Sequence, residues 1–309
     1  MEKIRVGYAS DAVGTAPVWT ACDEGYFKKL GLEVEPVLIR GSAAVTRAIE
    51  AGEVQLANFA APAMVQANVE RNADLILVLA TMNRVMQALS GRPGVTKIEQ
   101  LRGGSIGINA KCEVNEWILE AVLPRVGLTP HKDVKIVEIG RHPGKEWHTK
   151  AKVDALVLHP PQPFEAAKDG WTTLLDTRSL NMPFQLSCIT GRRDWIENNR
   201  ALVQRYLEGH VEGIHRFNTD LACGIRVQKK WGPTQDEKIC IETHKFAAGE
   251  FSPDPHPSEV SIRNILLAMK GSIPKADPDR AKDYMDGSFI AEMEKSGKLG
   301  ALHKKYGIG

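Results

Sequence analysis

Lys111, Cys112 and Glu113 stand together between a short apolar segment, Ser105 to Ile108, and a stretch with helical apolar spacing, Val114 to Val126. A thiol beside a lysine near a helix N-terminus has surroundings that lower its pKa and make it a nucleophile, whereas the adjacent glutamate opposes thiolate formation. A small loop residue of no chemical consequence satisfies the same stretch. Lys111 can meet a ligand anion as a compact charge on a flexible stem, or be an ordinary surface lysine. His142, Glu146, His148 and His159 follow apparent strands, and imidazole with carboxylate can build an acid/base pair or a metal site. Their spacing matches no ligand motif, so no metal and no cofactor are expected. His142 and His148 read as solvent-exposed; His159 reads as facing a cleft, where it would hydrogen-bond a ligand or transfer a proton.

Gly41-Ser42 opens another helical stretch. Free N–H groups and the dipole end favour an anion there, and glycine lets the backbone approach closely; an ordinary serine cap uses the same geometry. Trp19, Phe59, Trp117, Trp147 and Phe164 offer flat faces to a planar ligand, although Trp19 and Trp117 lie within helical stretches and read as core.

These side chains need a scaffold, and the chain is long enough to build one. Its 309 residues are 43% hydrophobic, enough for a substantial core and above the usual single-domain size, so two lobes are expected. Lys and Arg number 40 against 38 Asp and Glu, with the signs mixed along the chain, which argues against nucleic acid or an anionic membrane as partner. No apolar run approaches a membrane span. The first residues enter a strand at once, without an apolar signal core. The expectation is a cytoplasmic protein, or a periplasmic one whose leader has been removed and replaced by a start Met. Cys22, Cys112, Cys188, Cys223 and Cys240 form neither C-x-x-C nor a zinc spacing, an odd and scattered set that suits reducing conditions.

One pattern is written twice. Strand Ile4 to Tyr8, helix Pro17 to Leu30, strand Glu33 to Ile39, a helix from Ser42 to about Gly52 and strand Val54 to Phe59 make a βαβαβ run, which implies parallel strands. About a hundred residues later Gly107 matches Gly7, Val126-Gly127-Leu128 matches Leu30-Gly31-Leu32, and Val153 to Leu156 matches Val54 to Ala57. The expected lobes are 1–85 with 190–309, and 86–189, crossing near 83–93 and 181–190. Helices over Asp194–Phe217, Thr234–Ala248, Ser258–Met269 and Asp279–Lys295 are expected on the first lobe. Ligands of parallel α/β sheets sit beyond the carboxyl ends of the strands. That rule places Ser10, Asp11, Gly41, Ser42, Asn58 and Phe59 on one side of a cleft, and Lys111, Cys112 and His159 on the other.

The opening Val6-Gly7-Tyr8-Ala9, the tract Trp19 to Val34, Ala48 to Val54, Leu101 to Gly107 and the tail from Asp286 to Gly297 resemble the NMT1/THI5-like and sulfonate/nitrate/taurine family of ABC-transporter substrate-binding proteins. The resemblance runs along nearly the whole chain. It implies a two-lobed periplasmic-binding-protein type II fold, α/β in each lobe, closing on a small molecule. It also implies an ABC permease as partner, with no membrane insertion and a monomeric state. Lys111-Cys112-Glu113 stands where such binders usually carry Gly and Ser, and Leu158-His159-Pro160-Pro161 where they are bland or aromatic. Relatives of this fold have become enzymes, so the alternative is a cytosolic enzyme acting on an aromatic or heterocyclic acid through Cys112, Glu113 and His159.

Overall fold

The structure, a computed structural model, describes residues 1–111, 113–140 and 147–308, apart from the side chains of residues 147 and 149. Among the described residues, ten strands form two sheets. They are β1 (Glu2–Tyr8), β2 (Leu32–Leu38), β3 (Leu56–Phe59), β4 (Leu75–Arg84), β5 (Ala88–Gly91), β6 (Ser105–Ile108), β7 (Lys135–Glu138), β8 (Ala155–Leu158), β9 (Thr172–Asp176) and β10 (Pro183–Arg192). The first sheet runs β2-β1-β3-β10-β4 and the second β7-β6-β8-β5-β9. In each, three parallel strands come from the βαβαβ run, and two more join antiparallel. The fourth position of each sheet is held by a strand entering from the other sheet, β10 in the first and β5 in the second. Because β10 pairs with β4 from Pro183 to Arg192, and with β3 from Cys188 to Gly191, residues 183–189 run in the first sheet rather than with the second lobe.

The repeated glycines have a common physical cause. A Cβ on Gly7 would lie 3.2 Å from both Ala57 Cβ and Val54 Cγ2; on Gly107 it would lie 2.6 Å from Leu156 Cδ2 and 3.2 Å from Val153 Cγ2. Ile39 and Ile139 complete the two enclosures. The middle strand of each parallel trio, β1 or β6, thus passes beneath apolar side chains at three equivalent positions, with no room for one of its own. Strand β8 alternates between two apolar layers, Ala155 and Val157 against one and Leu156 and Leu158 against the other, which is why it reads as an unbroken hydrophobic run.

Some elements depart from their expected spans. The helix expected over Pro17–Leu30 is Ala16–Asp23 followed by a turn of helix at Tyr26–Lys29, because Gly25 takes φ 71° and interrupts it. The 194–217 stretch divides at Asn199 into Arg193–Asn198 and Arg200–Thr219. The Asp279–Lys295 stretch is a 3-10 segment, Pro278–Tyr284, and a helix, Ser288–Lys295. Helices Leu221–Trp231 and Lys298–Tyr306 were not anticipated. The tail packs on the first sheet, with Arg200–Thr219 lying against Ala16–Asp23. Trp117, Ile118 and Val122 of the helix Val114–Val122 join the same large core. Among the described residues, no helix is long and apolar enough to cross a membrane.

Candidate functional site

The strand tips of both sheets converge on one cleft of about 510 Å³. The first sheet contributes the loop after β1 (residues 9–15), Arg40 to Ser42 after β2, and Asn58 to Ala60 at the end of β3. The second contributes Asn109, Glu113 and Val114 after β6, Gly140 after β7, and His159, Pro160 and Gln162 after β8. The lobes touch across this space: Val13 N–H donates to Pro160 O at 3.3 Å, Lys168 Nζ meets Asp236 Oδ2 at 2.6 Å, and Phe164 packs edge-on against Phe246.

Gly41 holds φ 98°, a conformation open to glycine, and precedes the helix Ser42–Glu50. The N–H groups of Ala44 and Val45 both donate to Gly41 O, and those of Ser42 and Ala43 take no acceptor among the described residues. Ser42 is therefore the first helical residue rather than its cap, and its hydroxyl caps nothing. Both donors sit at the positive end of the helix dipole and Ser42 borders the cleft, the arrangement that holds anionic oxygen. Beside them Arg40 Nη2 and Asp11 Oδ2 form an ion pair at 2.9 Å.

Asn58 lines the cleft, but its amide is tied to protein. Nδ2 donates to Gly14 O at 3.1 Å, and Oδ1 accepts from Ser187 Oγ at 3.1 Å, so the side chain braces the loop after β1. Ser10 belongs to that loop: its carbonyl accepts from Thr15 Oγ1 at 2.9 Å. Phe59 is 3% exposed and supplies an apolar edge. His159 is half-buried in the opposite wall, and desolvation pushes its pKa down to about 4, so the ring is neutral at pH 7.

Lys111 is exposed and does not line the cleft; its backbone N–H donates to Glu138 Oε2 at 3.3 Å. Cys112, His142 and Glu146 lie outside the described residues. His148, expected at the surface, is 2% exposed: Nε2 sits 2.6 Å from Asp169 Oδ2, and the ring packs edge-on against Trp171. Its apolar neighbour and carboxylate partner, both distant in sequence, draw it inward. Trp19 and Trp117 are core, as their helical positions indicated. Sequence reasoning missed the floor of the cleft, Met82, Met86, Leu186 and Ser187, which comes from the end of β4, the segment after it and β10. The signal available was position: residues expected to carry the chain between lobes lie between the two walls. Among the described residues, no group of three or more His, Cys, Asp or Glu is placed to hold a metal ion.

The fold is shared with several solved structures. The periplasmic aliphatic sulphonate-binding protein of Escherichia coli superposes with a TM-score of 0.73 at 18% identity, over 91% of this chain and 91% of that one. The periplasmic nitrate-binding protein of Synechocystis PCC 6803 does so with a TM-score of 0.75 at 11% identity, over 96% and 89%. A desulfurization enzyme aligns with a TM-score of 0.67 at 13% identity, over 95% and 99%. No curated protein matches in sequence. These likenesses establish the two-lobed α/β architecture of periplasmic binding proteins and nothing finer. The NMT1/THI5-like sequence profile, however, matches residues 13–217 of the 309, spanning every strand from β2 to β10 and the return into the tail; the chain belongs to the NMT1/THI5-like family.

Proposed function

We propose that the cleft binds a small organic anion or heteroaromatic acid, and that the protein serves as the substrate-binding component of an ABC uptake system, with a permease as partner. One observation carries the reading: a cleft of about 510 Å³ sets the free N–H groups at the start of Ser42–Glu50 and the neutral ring of His159 around an apolar floor of Met82, Met86 and Leu186. That volume is in the range of small-molecule sites, and a polar rim over an apolar floor suits a ring that bears an acid group. Solved proteins of this fold that bind sulphonate and nitrate support the same assignment. On this reading the protein works in the periplasm, as the solved sulphonate- and nitrate-binding proteins of this fold do.

A thermal-shift screen of sulfonates, aromatic acids and pyrimidine acids should give at least one compound whose stabilisation grows with concentration. Gly41→Val, which strains the left-handed backbone beside the free donors, should reduce that shift. Silence across the panel would count against binding.

The enzymatic reading is favoured by the meeting of Glu113 and His159 in one cleft. On that reading they, with Cys112, act on the bound acid. Turnover of any compound found in the screen, abolished in Cys112→Ala with Glu113→Gln and His159→Ala, would establish it; turnover surviving the triple change would remove these residues from the chemistry.

A further inference from the structure

Gln87 is fully buried in the segment that carries the chain from β4 into β5, between the two lobes. Its side-chain Oε1 accepts the Met86 backbone N–H at 3.1 Å. A backbone N–H can only donate, so this bond settles which end of the amide is oxygen. The other end, Nε2, lies 3.2 Å from His159 Nδ1. An amide NH₂ can likewise only donate, and His159 Nδ1 must therefore be the unprotonated ring nitrogen. A neutral ring then carries its single proton on Nε2, and Nε2 has no partner among the described residues while the ring lines the cleft.

Gln87 is held from several sides. Its carbonyl accepts both Thr177 N–H at 3.0 Å and Thr177 Oγ1 at 2.8 Å. His159 is fixed in turn by its own backbone N–H, which donates to Gln162 Oε1 at 3.2 Å. These bonds fix the backbone at both residues; turning the Gln87 amide would break its bonds to Met86 N–H and His159 Nδ1, and turning the His159 ring would break the latter.

We propose that Gln87 is a positioning residue that locks His159 as a hydrogen-bond donor to the ligand, so that the cleft selects compounds presenting an acceptor there: a carbonyl oxygen, an unprotonated ring nitrogen or an anionic oxygen. The proposal rests on the binding reading above and adds the polarity of one contact. Burial supports it by keeping the ring neutral. A histidine left to itself exchanges tautomers and serves donors and acceptors alike; one whose Nδ1 is already occupied by a donor does not.

The tautomer can be read without any ligand, from the ring nitrogens of ¹⁵N-histidine-labelled protein at pH 7, with His159→Ala identifying the signals. The wild type should show Nε2 protonated and Nδ1 bare. In Gln87→Glu the carboxylate accepts instead of donating, and the proton should move to Nδ1 or the ring should become charged. Gln87→Met, which offers neither, should leave a mixture and serves if the glutamate variant does not fold. A wild-type ring protonated on Nδ1, or a tautomer unmoved by both changes, overturns the assignment. Two matched probes then test selectivity: pyridine-3-carboxylate, with a ring acceptor, and 3-aminobenzoate, with a donor. The wild type should favour the first by about tenfold, the worth of one well-placed hydrogen bond, and Gln87→Glu should lose that preference. Equal affinities alongside the expected tautomer would sink the selectivity alone. No stabilisation by any acid in the screen would sink the binding role instead, and the tautomer result would stand.

Discussion

His210 lies in the middle of the helix Arg200–Thr219 with none of its surface exposed, its Nε2 3.1 Å from Thr81 Oγ1. Burial pushes its pKa down to about 3, and that of His159 down to about 4. In the unfolded chain both rings titrate near about 6.5. Between those values the unfolded state binds protons that the fold refuses, so stability is complete above the unfolded pKa and falls as pH drops through and below it. From pH 7 to pH 5 each ring contributes a loss of about 2 kcal/mol, so the pair removes about 4 kcal/mol, a large part of a typical 5–15 kcal/mol total. His215 and His244, whose pKa values burial also lowers, act in the same direction. Carboxylates held low by hydrogen bonds or ion pairs, such as Asp154 and Asp236, lose their share only at lower pH, which leaves the window above pH 5 to the histidines. Urea unfolding followed by tryptophan fluorescence at pH 7, 6 and 5 measures the slope directly. His210→Gln keeps a hydrogen-bonding group beside Thr81 but removes one titration, and should reduce the stability lost between pH 6 and 5 by about 1.2 kcal/mol, whatever it does to absolute stability. Equal stabilities at pH 7 and 5, or parallel slopes for variant and wild type, would refute the reasoning.

Two other perturbations test the packing and the thiols. At Gly213 an added Cβ would lie 2.4 Å from Pro17 O and 3.1 Å from Ala21 Cβ, so Gly213→Ala must push apart the helices Ala16–Asp23 and Arg200–Thr219. It should cost about 1–3 kcal/mol in chemical denaturation despite alanine's better helix propensity; an unchanged or raised midpoint would show that the contact yields. Burial pushes the Cys22 and Cys188 thiols up to about 12 and raises those of Cys223 and Cys240. Brief iodoacetamide treatment of the folded protein at pH 8 should leave these four unlabelled by peptide mapping, and prompt modification of any of them would contradict its environment.

What the linear order determined is the duplicated architecture and most of the cleft's rim. Gly7 and Gly107 recur because the middle strand of each parallel trio passes beneath apolar side chains at three equivalent positions, and Gly31 and Gly127 recur because each ends its helix at φ 78°. Such local demands leave a mark on residue type, so they are legible one residue at a time, and the rule that ligands gather at strand tips then placed Ser10, Asp11, Gly41, Ser42, Asn58, Phe59 and His159 around one space. What only the tertiary structure decided are relations between residues far apart in the chain. His148 is drawn inward by Asp169 and Trp171, Lys111 is turned outside the cleft, and Asn58 is committed to Gly14 and Ser187. The floor of Met82, Met86 and Leu186 exists because β4, the segment leading out of it and β10, far apart in the chain, come together between both walls. The polarity of His159 depends on Gln87, 72 residues away, a partner that the local sequence around either residue does not announce. Periodicity and propensity are properties of neighbours along the chain, whereas a hydrogen bond between distant segments is a property of the folded geometry that brings its two ends together.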